Sequence, residues 1–429
     1  MKKMTSWGKY PHIDANISAP LSSHMLANEK RNIIARGLGR SYGDSALSEN
    51  IIISNRLNHF ISFDENTGQL HCEAGVSLHD ILMNFVPKGW FLYVTPGTKF
   101  VTVGGAIASD VHGKNHHIDG CFSDHVTSLT ICIQGEEISC SREENSDLFH
   151  ATCGGMGLTG IITKATFKLR PITSSYINQK VIKAKNLDTV LELFEQYRDA
   201  TYSVAWIDCL STGSNLGRSL LMLGEHACKG ELTTHKSGVL NMPCDMPSFL
   251  LNKYTIQAFN SAYYNKQVKE ELNNTIHYDS FFYPLDGISN WNRMYGKNGF
   301  TQYQFVIPKE AGKEGLKEIL EAIAESKQGS FLAVLKVFGK GNINYLSFPL
   351  EGYTLALDFK LNNKLFALLD RLDLIVRKYK GRIYLSKDVR MSEEMFKASY
   401  PHWKKFQVLR KKYGADERYL SLQSKRIGL

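Results

Sequence analysis

Three segments of this chain concentrate glycine directly beside apolar, strand-like runs: "ARGLGRSYGDSAL" (35–47), "TPGTKFVTVGGAIASDVHGKNHH" (95–117) and "CGGMGLTGIITKA" (153–165). Glycine admits positive φ and leaves backbone amides bare, so successive amides can turn inward and cradle an anion. One such loop is accounted for by an ordinary tight turn. Three favour a ligand that carries phosphate. The first loop is not a dinucleotide fingerprint, because "RGLGRSYG" has G-x-G but misplaces the third glycine and precedes no helical pattern. The G-x-x-x-x-G-K-[ST] pattern is absent too, which argues against a P-loop nucleotide hydrolase.

The second segment ends in "ASDVHGKNHH", where His112 and His116 stand four apart and would share a face if the stretch were helical. Gly113 and Asn115 are poor helix interiors, no glutamate is placed to serve a metal-bound water, and His117 would point away. No metal site is expected. The eight cysteines contain no C-x-x-C pair and read as buried or free thiols of a reducing compartment. Lys plus Arg exceed Asp plus Glu by 9, which suits an acidic ligand or an anionic membrane surface and is equally ordinary for a solvated exterior. No nucleic-acid partner is expected. The N-terminus "MKKMTSWGKYPHIDANISAP" has no apolar core of a signal peptide, and nothing later approaches eighteen consecutive apolar residues. The expectation is a cytoplasmic protein with at most peripheral contact at the inner membrane surface.

At 429 residues the chain has room for two or three domains. Its first part reads as short strands and turns: "NIIARG" before a glycine loop, "HFISFDENTGQLHCEAG" and "SLTICIQGEEISCS" as hairpins. "SLHDILMNF" reads as a short helix with Ser77 as N-cap and Asp80 completing a capping box. "PITSS" (171–175) breaks the pattern after "GIITKATFKL" and marks a boundary. Further on, a strand–helix–strand unit is written twice, through "FTQYQFVIP", "KEAGKEGLKEILEAIAESK" and "SFLAVLKVFG", then "GYTLALDFKL", "NKLFALLDRLDLIVRKYK" and "RIYLSKD", with Gly381 expected to stop the second helix. That pattern predicts an α+β fold with an antiparallel sheet flanked by helices. Periodicity leaves open whether "RIYLSKD" joins that sheet or returns to the first domain.

"RGLGRSYGD", "PGT…VTVGGAIASDVHGKNHH", "GGMGLTGII", "FTQYQFVIP" and "YLSKD" together resemble the decaprenylphosphoryl-β-D-ribose 2′-oxidases, flavin subunits of arabinose-forming epimerases within the vanillyl-alcohol-oxidase type of FAD enzymes. The likeness runs from about residue 30 to the C-terminus. It implies a two-part FAD-binding domain, residues 1–174 and 382–429, enclosing a substrate domain at 175–381, so that "RIYLSKD" returns to the flavin. It also implies a cytoplasmic role in cell-wall or polysaccharide biosynthesis. The reaction would be oxidation of the C2′ hydroxyl of a polyprenyl-phosphate-linked ribofuranose, with a separate NAD(P)H-dependent short-chain reductase completing the epimerisation to arabinofuranose.

On that resemblance the flavin would be lined by Arg36, Gly37, Gly39, Arg40, Ser41, Tyr42 and Gly43 of the first loop. Gly97, Thr98, Thr102, Gly104, Gly105, Ser109, His112, Gly113 and Asn115 would serve from the second, and Gly160, Ile161 and Ile162 from the third. Tyr384 and Lys387 complete the set, and Tyr42, His112 and Lys387 would be catalytic. His116 and His117 read equally as substrate contacts or as shapers of their loop. A fixed lysine suits negative charge developing on the ring, although a lone lysine before Asp388 is otherwise a surface ion pair. Relatives with covalent flavin carry histidine near Tyr42, and this loop has neither histidine nor cysteine, so FAD should be non-covalent.

Gln302 and Gln304 alternate along one strand and so share a face. Lys336 is a cation in an apolar strand, costly unless paired or facing a ligand. By resemblance both glutamines, Lys336 and Trp206 line the substrate pocket, although an aromatic in a strand is ordinarily core. Mycobacterial relatives have cysteine where this chain has Ala356. Two rival readings are an oxidase of a soluble sugar, lactone or polyol, and a catalytically silent FAD-binding scaffold. Retention of Tyr42, His112, Lys336 and Lys387 together argues against the scaffold.

Overall fold

The computed structural model describes residues 1–26, 32–236 and 240–429. Three principal sheets organise them. The first is four-stranded: Lys2–Thr5 and His12–Ser18 pair antiparallel, and His12–Ser18 and Ile33–Arg36 flank Asn50–Ile53 in parallel. The second is built on Ile161–Pro171, which pairs with Gln69–Glu73 on one side and Val126–Ile133 on the other, with the two expected hairpins as its wings. The helix Leu78–Phe85 forms as predicted, with a reciprocal capping box between Ser77 and Asp80.

The third sheet has eight antiparallel strands in the order Glu271–His277, Tyr176–Ala184, Ser219–His226, Tyr202–Ile207, Ala333–Phe338, Gly352–Lys360, Phe300–Pro308 and Arg382–Ile383. Alternation gives it one apolar face. Tyr303, Phe305, Ile307, Leu355 and Leu357 bury their side chains in a core shared with the helices Gly312–Ser326 and Leu365–Lys378. Those helices present Leu316, Ile319, Leu320 and Ile323, and Leu365, Leu368, Leu369 and Leu372, the i, i+3, i+4 spacing of an amphipathic stripe.

Two expectations change in detail. The second helix is stopped by Lys380, which takes the left-handed conformation at φ 56°. Gly381 is the next residue, and a Cβ there would stand 2.5 Å from the Val306 carbonyl oxygen, so this glycine serves close strand approach. The "RIYLSKD" segment divides its allegiance. Arg382 and Ile383 close the edge of the eight-stranded sheet against Val306 and Phe305, and the chain then crosses to the glycine loops. Its tail stays there: the Ile33 amide donates to the Arg418 carbonyl at 2.9 Å, and buried Arg410 donates to the carbonyls of Leu158 and Tyr419 at 3.0 and 2.8 Å.

Candidate active site

The face of the eight-stranded sheet opposite the helices is unlike the other. Register sets Gln302 against Asp358, Gln304 against Ala356 and Val306 against Thr354. The next strands continue the rows: Thr354 opposes Lys336, Ala356 opposes Val334, and Val334 opposes Trp206. Opposed residues project to one side, so Gln302, Gln304, Asp358, Thr354, Lys336 and Trp206 share a surface, with half-buried Ala356 between them.

The loop bearing His112 lies against this surface. Its ring is buried, with Nε2 3.0 Å from Gln304 Nε2 and Nδ1 3.3 Å from Lys336 Nζ. The Gln304 amide also donates to Thr354 Oγ1 at 3.2 Å, and that hydroxyl donates to the Phe305 carbonyl at 2.8 Å. If the Gln304 amide donates to both neighbours, the single imidazole proton sits on Nδ1 and Lys336 accepts it as an uncharged amine. If Lys336 is charged, the proton moves to Nε2 and the amide turns its oxygen inward. Burial, then Lys114 and Lys387, push Lys336 down to about 7, so both arrangements are accessible near neutrality. Burial, then Lys336, His116 and Lys387, hold His112 well below the ordinary imidazole range, and the ring is neutral. Phe338 packs edge-on at 4.6 Å and Tyr384 lies at 5.6 Å.

Tyr384 anchors the crossing segment: its amide donates to the Gln304 carbonyl at 2.9 Å and its hydroxyl to the Ser109 carbonyl at 2.8 Å. Three residues on, Lys387 Nζ stands 4.0 Å from the centre of the Tyr42 ring. The first glycine loop can reach this segment only because residue 43 lacks a side chain, since a Cβ on Gly43 would fall 1.7 Å from the Asp388 carbonyl oxygen. Burial pushes Lys387 down to about 8 against the opposing charge of Asp358. Burial likewise pushes Asp358 up to about 7, opposed by its hydrogen bond from Gln302 and by Lys387. Tyr42 rises well above the ordinary phenol range, through burial first and Asp358 second, and stays protonated.

The other expected residues divide by what occupies them. Arg36 donates to the Thr5 carbonyl at 2.8 Å and Thr98 to Asp286 at 2.8 Å, while Asn115 donates to the Tyr93 carbonyl and Asp119 at 2.8 and 2.6 Å; these hold the loops in shape. Ser41 accepts from the Trp7 amide at 3.0 Å, and Thr102 caps the short helix Val103–Ala108, accepting from the Gly105 amide at 3.1 Å. Gly37, Gly39 and Gly113 sit in packed loops, and Gly104 lies inside that helix, where a Cβ would meet Ala74 at 3.1 Å. Gly160 backs onto the Cys132 carbonyl, and Ile161 and Ile162 open the strand opposite Cys132 and Ile131. Trp206 is wall: its indole N–H donates to the Phe331 carbonyl at 3.1 Å. His116 packs on Phe338 at 4.5 Å and His117 bonds the Ala200 carbonyl at 2.9 Å, so both hold the loop.

The residues fit a flavin dinucleotide. Nothing lies within 4 Å of where a Cβ on Gly97 would sit, so that turn is open to a close-approaching group. The Arg40 guanidinium stacks 4.0 Å over Trp7 and has a buried Nε without a partner. No carboxylate pairs with Lys336 among the described residues. A cation such as Lys336, enclosed without a carboxylate, is costly unless an anion joins it, whereas half-buried Arg40 has the charge of Asp286 nearby. Four members of the site were not singled out in the sequence. Asp358 and Thr354 were readable there, because "TLALDF" alternates them with Leu355 and Leu357. Lys114, pushed down to about 7 by burial and packed 4.3 Å over Phe281, and Phe338 left no comparable signal.

Residues 23–141 match the family described as an FAD binding domain. The chain is 36% identical to decaprenylphosphoryl-β-D-ribose oxidase of Mycolicibacterium smegmatis, over 100% of this chain and 98% of the relative. It is 28% identical to a Streptomyces coelicolor protein described as an uncharacterized protein in the mprA 5′ region, over 82% of this chain and 100% of the relative. L-gulonolactone oxidase of Mus musculus shares 28% identity over 40% of each chain. With an FAD-binding domain, a polar sheet face set against His112 and Lys387, and an end-to-end match, the chain belongs to the decaprenylphosphoryl-β-D-ribose oxidase family of FAD-dependent oxidoreductases.

Proposed function

We propose that this protein oxidises the C2′ hydroxyl of a polyprenyl-phosphate-linked ribofuranose to the 2′-keto sugar, the first half of an epimerisation to arabinofuranose. The observation that carries the reading is the convergence of Gln302, Gln304, Lys336 and Asp358 on one sheet face against His112 and Lys387, in a chain matched end to end by decaprenylphosphoryl-β-D-ribose oxidase. FAD supplies the acceptor for the two electrons and the hydrogen leaving the carbinol carbon. The protein's own share is position and charge. Gln302 and Gln304 offer amides to neighbouring sugar hydroxyls. His112, held neutral, has a lone pair that can take the hydroxyl proton. Lys336 becomes an ammonium when a phosphate arrives beside it, and Lys387 fixes positive charge at the cofactor ring while Tyr42 aligns a sugar hydroxyl. Ala356 leaves more room at the centre of this face than a cysteine would.

The same reading binds FAD non-covalently, since residues 35–47 offer Tyr42 and neither histidine nor cysteine. It divides the chain at 1–174, 175–381 and 382–429, and it requires a short-chain NAD(P)H reductase to consume the keto sugar. On this reading the lipid-linked sugar is met by peripheral contact at the inner, cytoplasmic face; no described helix is long and apolar enough to cross a membrane. The likeness to L-gulonolactone oxidase favours a second reading, oxidation of a soluble sugar, lactone or polyol. Anaerobic mixing separates the two. Bleaching of the flavin by a short-chain prenyl-phosphoryl ribose and not by free ribose or a sugar lactone is expected, and equal bleaching by the free compounds would overturn the substrate assignment.

A further inference from the structure

The helix Lys253–Lys266 carries apolar residues on both faces: Ile256 is buried and Tyr263 packs on Trp206 at 4.8 Å, beside polar contacts on the inner side. Its inward residues include Asn260, which donates to Asp208 at 2.8 Å, and Ser261, which accepts from Arg218 at 3.0 Å. Its outward residues include Tyr254, Ala258, Phe259 and Ala262, at the spacing of one helical face. Tyr254 is 79% exposed, and Phe249 just before the helix is 72% exposed. Val268, two residues beyond the helix, is exposed as well. A helix in water normally turns such residues inward. The only charged side chains on this helix are Lys253 and Lys266, one at each end, so no carboxylate opposes an anionic surface along its length; beyond it Lys269 is followed by Glu270 and Glu271.

The same element forms the mouth of a cavity of about 160 Å³ that runs between Lys253, Ile256, Phe331 and Lys360 down to Tyr295 and Asp358. Aromatic rings continue inward from the helix. Phe259 meets Phe331 at 5.6 Å, Phe331 meets Tyr295 at 5.5 Å, Tyr295 stacks on Phe300 at 4.2 Å, and Phe300 meets Tyr42 at 5.4 Å. An apolar exterior with lysines at its ends, continuous with an aromatic-walled entrance to the site, has the composition of an interfacial helix.

We propose that the helix Lys253–Lys266, with Phe249 before it, lies on an anionic phospholipid surface and opens the cavity toward Asp358 at the bilayer. The inference rests on the reading that the substrate is lipid-linked, because only then does an entrance need to face a membrane. Tyr254 and Phe249 would enter the headgroup region while Lys253 and Lys266 meet lipid phosphates.

The test is co-sedimentation of the FAD-loaded protein with phosphatidylcholine vesicles, with and without phosphatidylglycerol, and of two double variants, Phe249→Ser with Tyr254→Ser and Lys253→Glu with Lys266→Glu. The wild type should pellet with the phosphatidylglycerol vesicles, and each variant should partition about tenfold more weakly. Both variants should keep their flavin, and the serine variant, whose two residues lie outside the cavity lining, should keep the wild-type rate of flavin reduction by a short-chain, water-soluble prenyl-phosphoryl ribose. Failure of the wild type to bind phosphatidylglycerol vesicles, or equal binding by the serine variant, overturns the inference. So does loss of self-association by the serine variant in sedimentation velocity without any vesicle binding, which would make this face a protein contact. Vesicle binding and flavin bleaching are read separately, so a protein that docks but leaves its flavin oxidised keeps this inference and loses the substrate reading.

Discussion

Replacing Asp110 with alanine should release the loop that carries His112 from the substrate sheet. Asp110 is fully buried, and its carboxylate gathers four donors from two other segments. Oδ1 accepts from the Ser123 amide at 3.2 Å, and Oδ2 accepts from Asn342 at 2.8 Å, Asn344 at 3.0 Å and Ser347 at 2.6 Å. Each buried donor left without an acceptor costs about 1–3 kcal/mol. The four costs do not simply add, because removing the carboxylate also removes its own desolvation. Hydrogen bonds to a charged group are worth about 1.5–3 kcal/mol each, so the net loss is on the order of a few kcal/mol. The backbone adds to it: Asp110 sits at φ 40°, where alanine is disfavoured by about 1–2 kcal/mol. Asparagine keeps one acceptor oxygen and tolerates the left-handed region, so Asp110→Asn should lose about half as much.

The measurement is urea unfolding of the FAD-loaded protein, followed by far-ultraviolet circular dichroism and by the fluorescence of released flavin. Alanine should lower the midpoint, with flavin escaping before the far-ultraviolet signal is lost, because the loop shared by cofactor and sheet gives way first. Sugar oxidation should slow even where the variant is folded, since His112 lies two residues from the lost anchor. A wild-type midpoint together with wild-type flavin retention in Asp110→Ala would refute the reasoning.

Lys387→Met should slow anaerobic flavin reduction by about 2–4 kcal/mol in the barrier while FAD remains bound, and unchanged kinetics would remove Lys387 from the chemistry. Because burial lowers Lys387 to about 8, its ammonium prevails at pH 7 and is lost as pH rises through about 8, so the reduction rate should fall across that range. Asp358→Asn removes the charge that holds Lys387 up and should move that fall to lower pH, whereas an unmoved alkaline limb would show the two groups uncoupled. His112→Ala should impair sugar oxidation and His116→Ala should do so less, with turnover surviving exhaustive chelation. Equal damage from both, with activity restored by added zinc, would point to a metal site instead. Acid precipitation should leave a colourless pellet and a yellow supernatant, and a yellow pellet would show a covalent flavin.

The fold was legible where one period dominates. Ser77 and Asp80 announced their helix because capping is a local bargain between neighbours, and "FTQYQFVIP" and "GYTLALDFKL" alternate cleanly because one face meets helices and the other meets the site. The region 176–299 was not legible. Glu271–His277 is an edge strand with a largely exposed, polar sequence, "ELNNTIH", and its place is set by pairing with Tyr176–Ala184 rather than by any face it buries. The N-terminal pair Lys2–Thr5 and His12–Ser18 has little burial and left no pattern to read.

The site divides along the same physical line. Residues whose type is unusual for their local pattern could be found one by one: Lys336 in an apolar strand, Gln302 and Gln304 on one face, His112 among glycines. What those residues do to one another depends on register between strands far apart in sequence. Lys336 meets His112 across 224 residues and Gln304 meets it across 192. Burial is the first cause that keeps the imidazole neutral and brings Lys336 down to about 7. The neighbouring charges, Lys336 on His112 and Lys114 and Lys387 on Lys336, are assembled only by the fold. Gly43 makes the point from the other side. Its sequence context suggests a turn that cradles phosphate, yet what it permits is contact with the Asp388 backbone, which brings Tyr42 beneath Lys387. Substituting Gly43 therefore acts on Tyr42 and Lys387 through backbone packing. A Gly43→Ala enzyme that kept both its flavin and the wild-type pH profile of flavin reduction would break the link between the first glycine loop and Lys387.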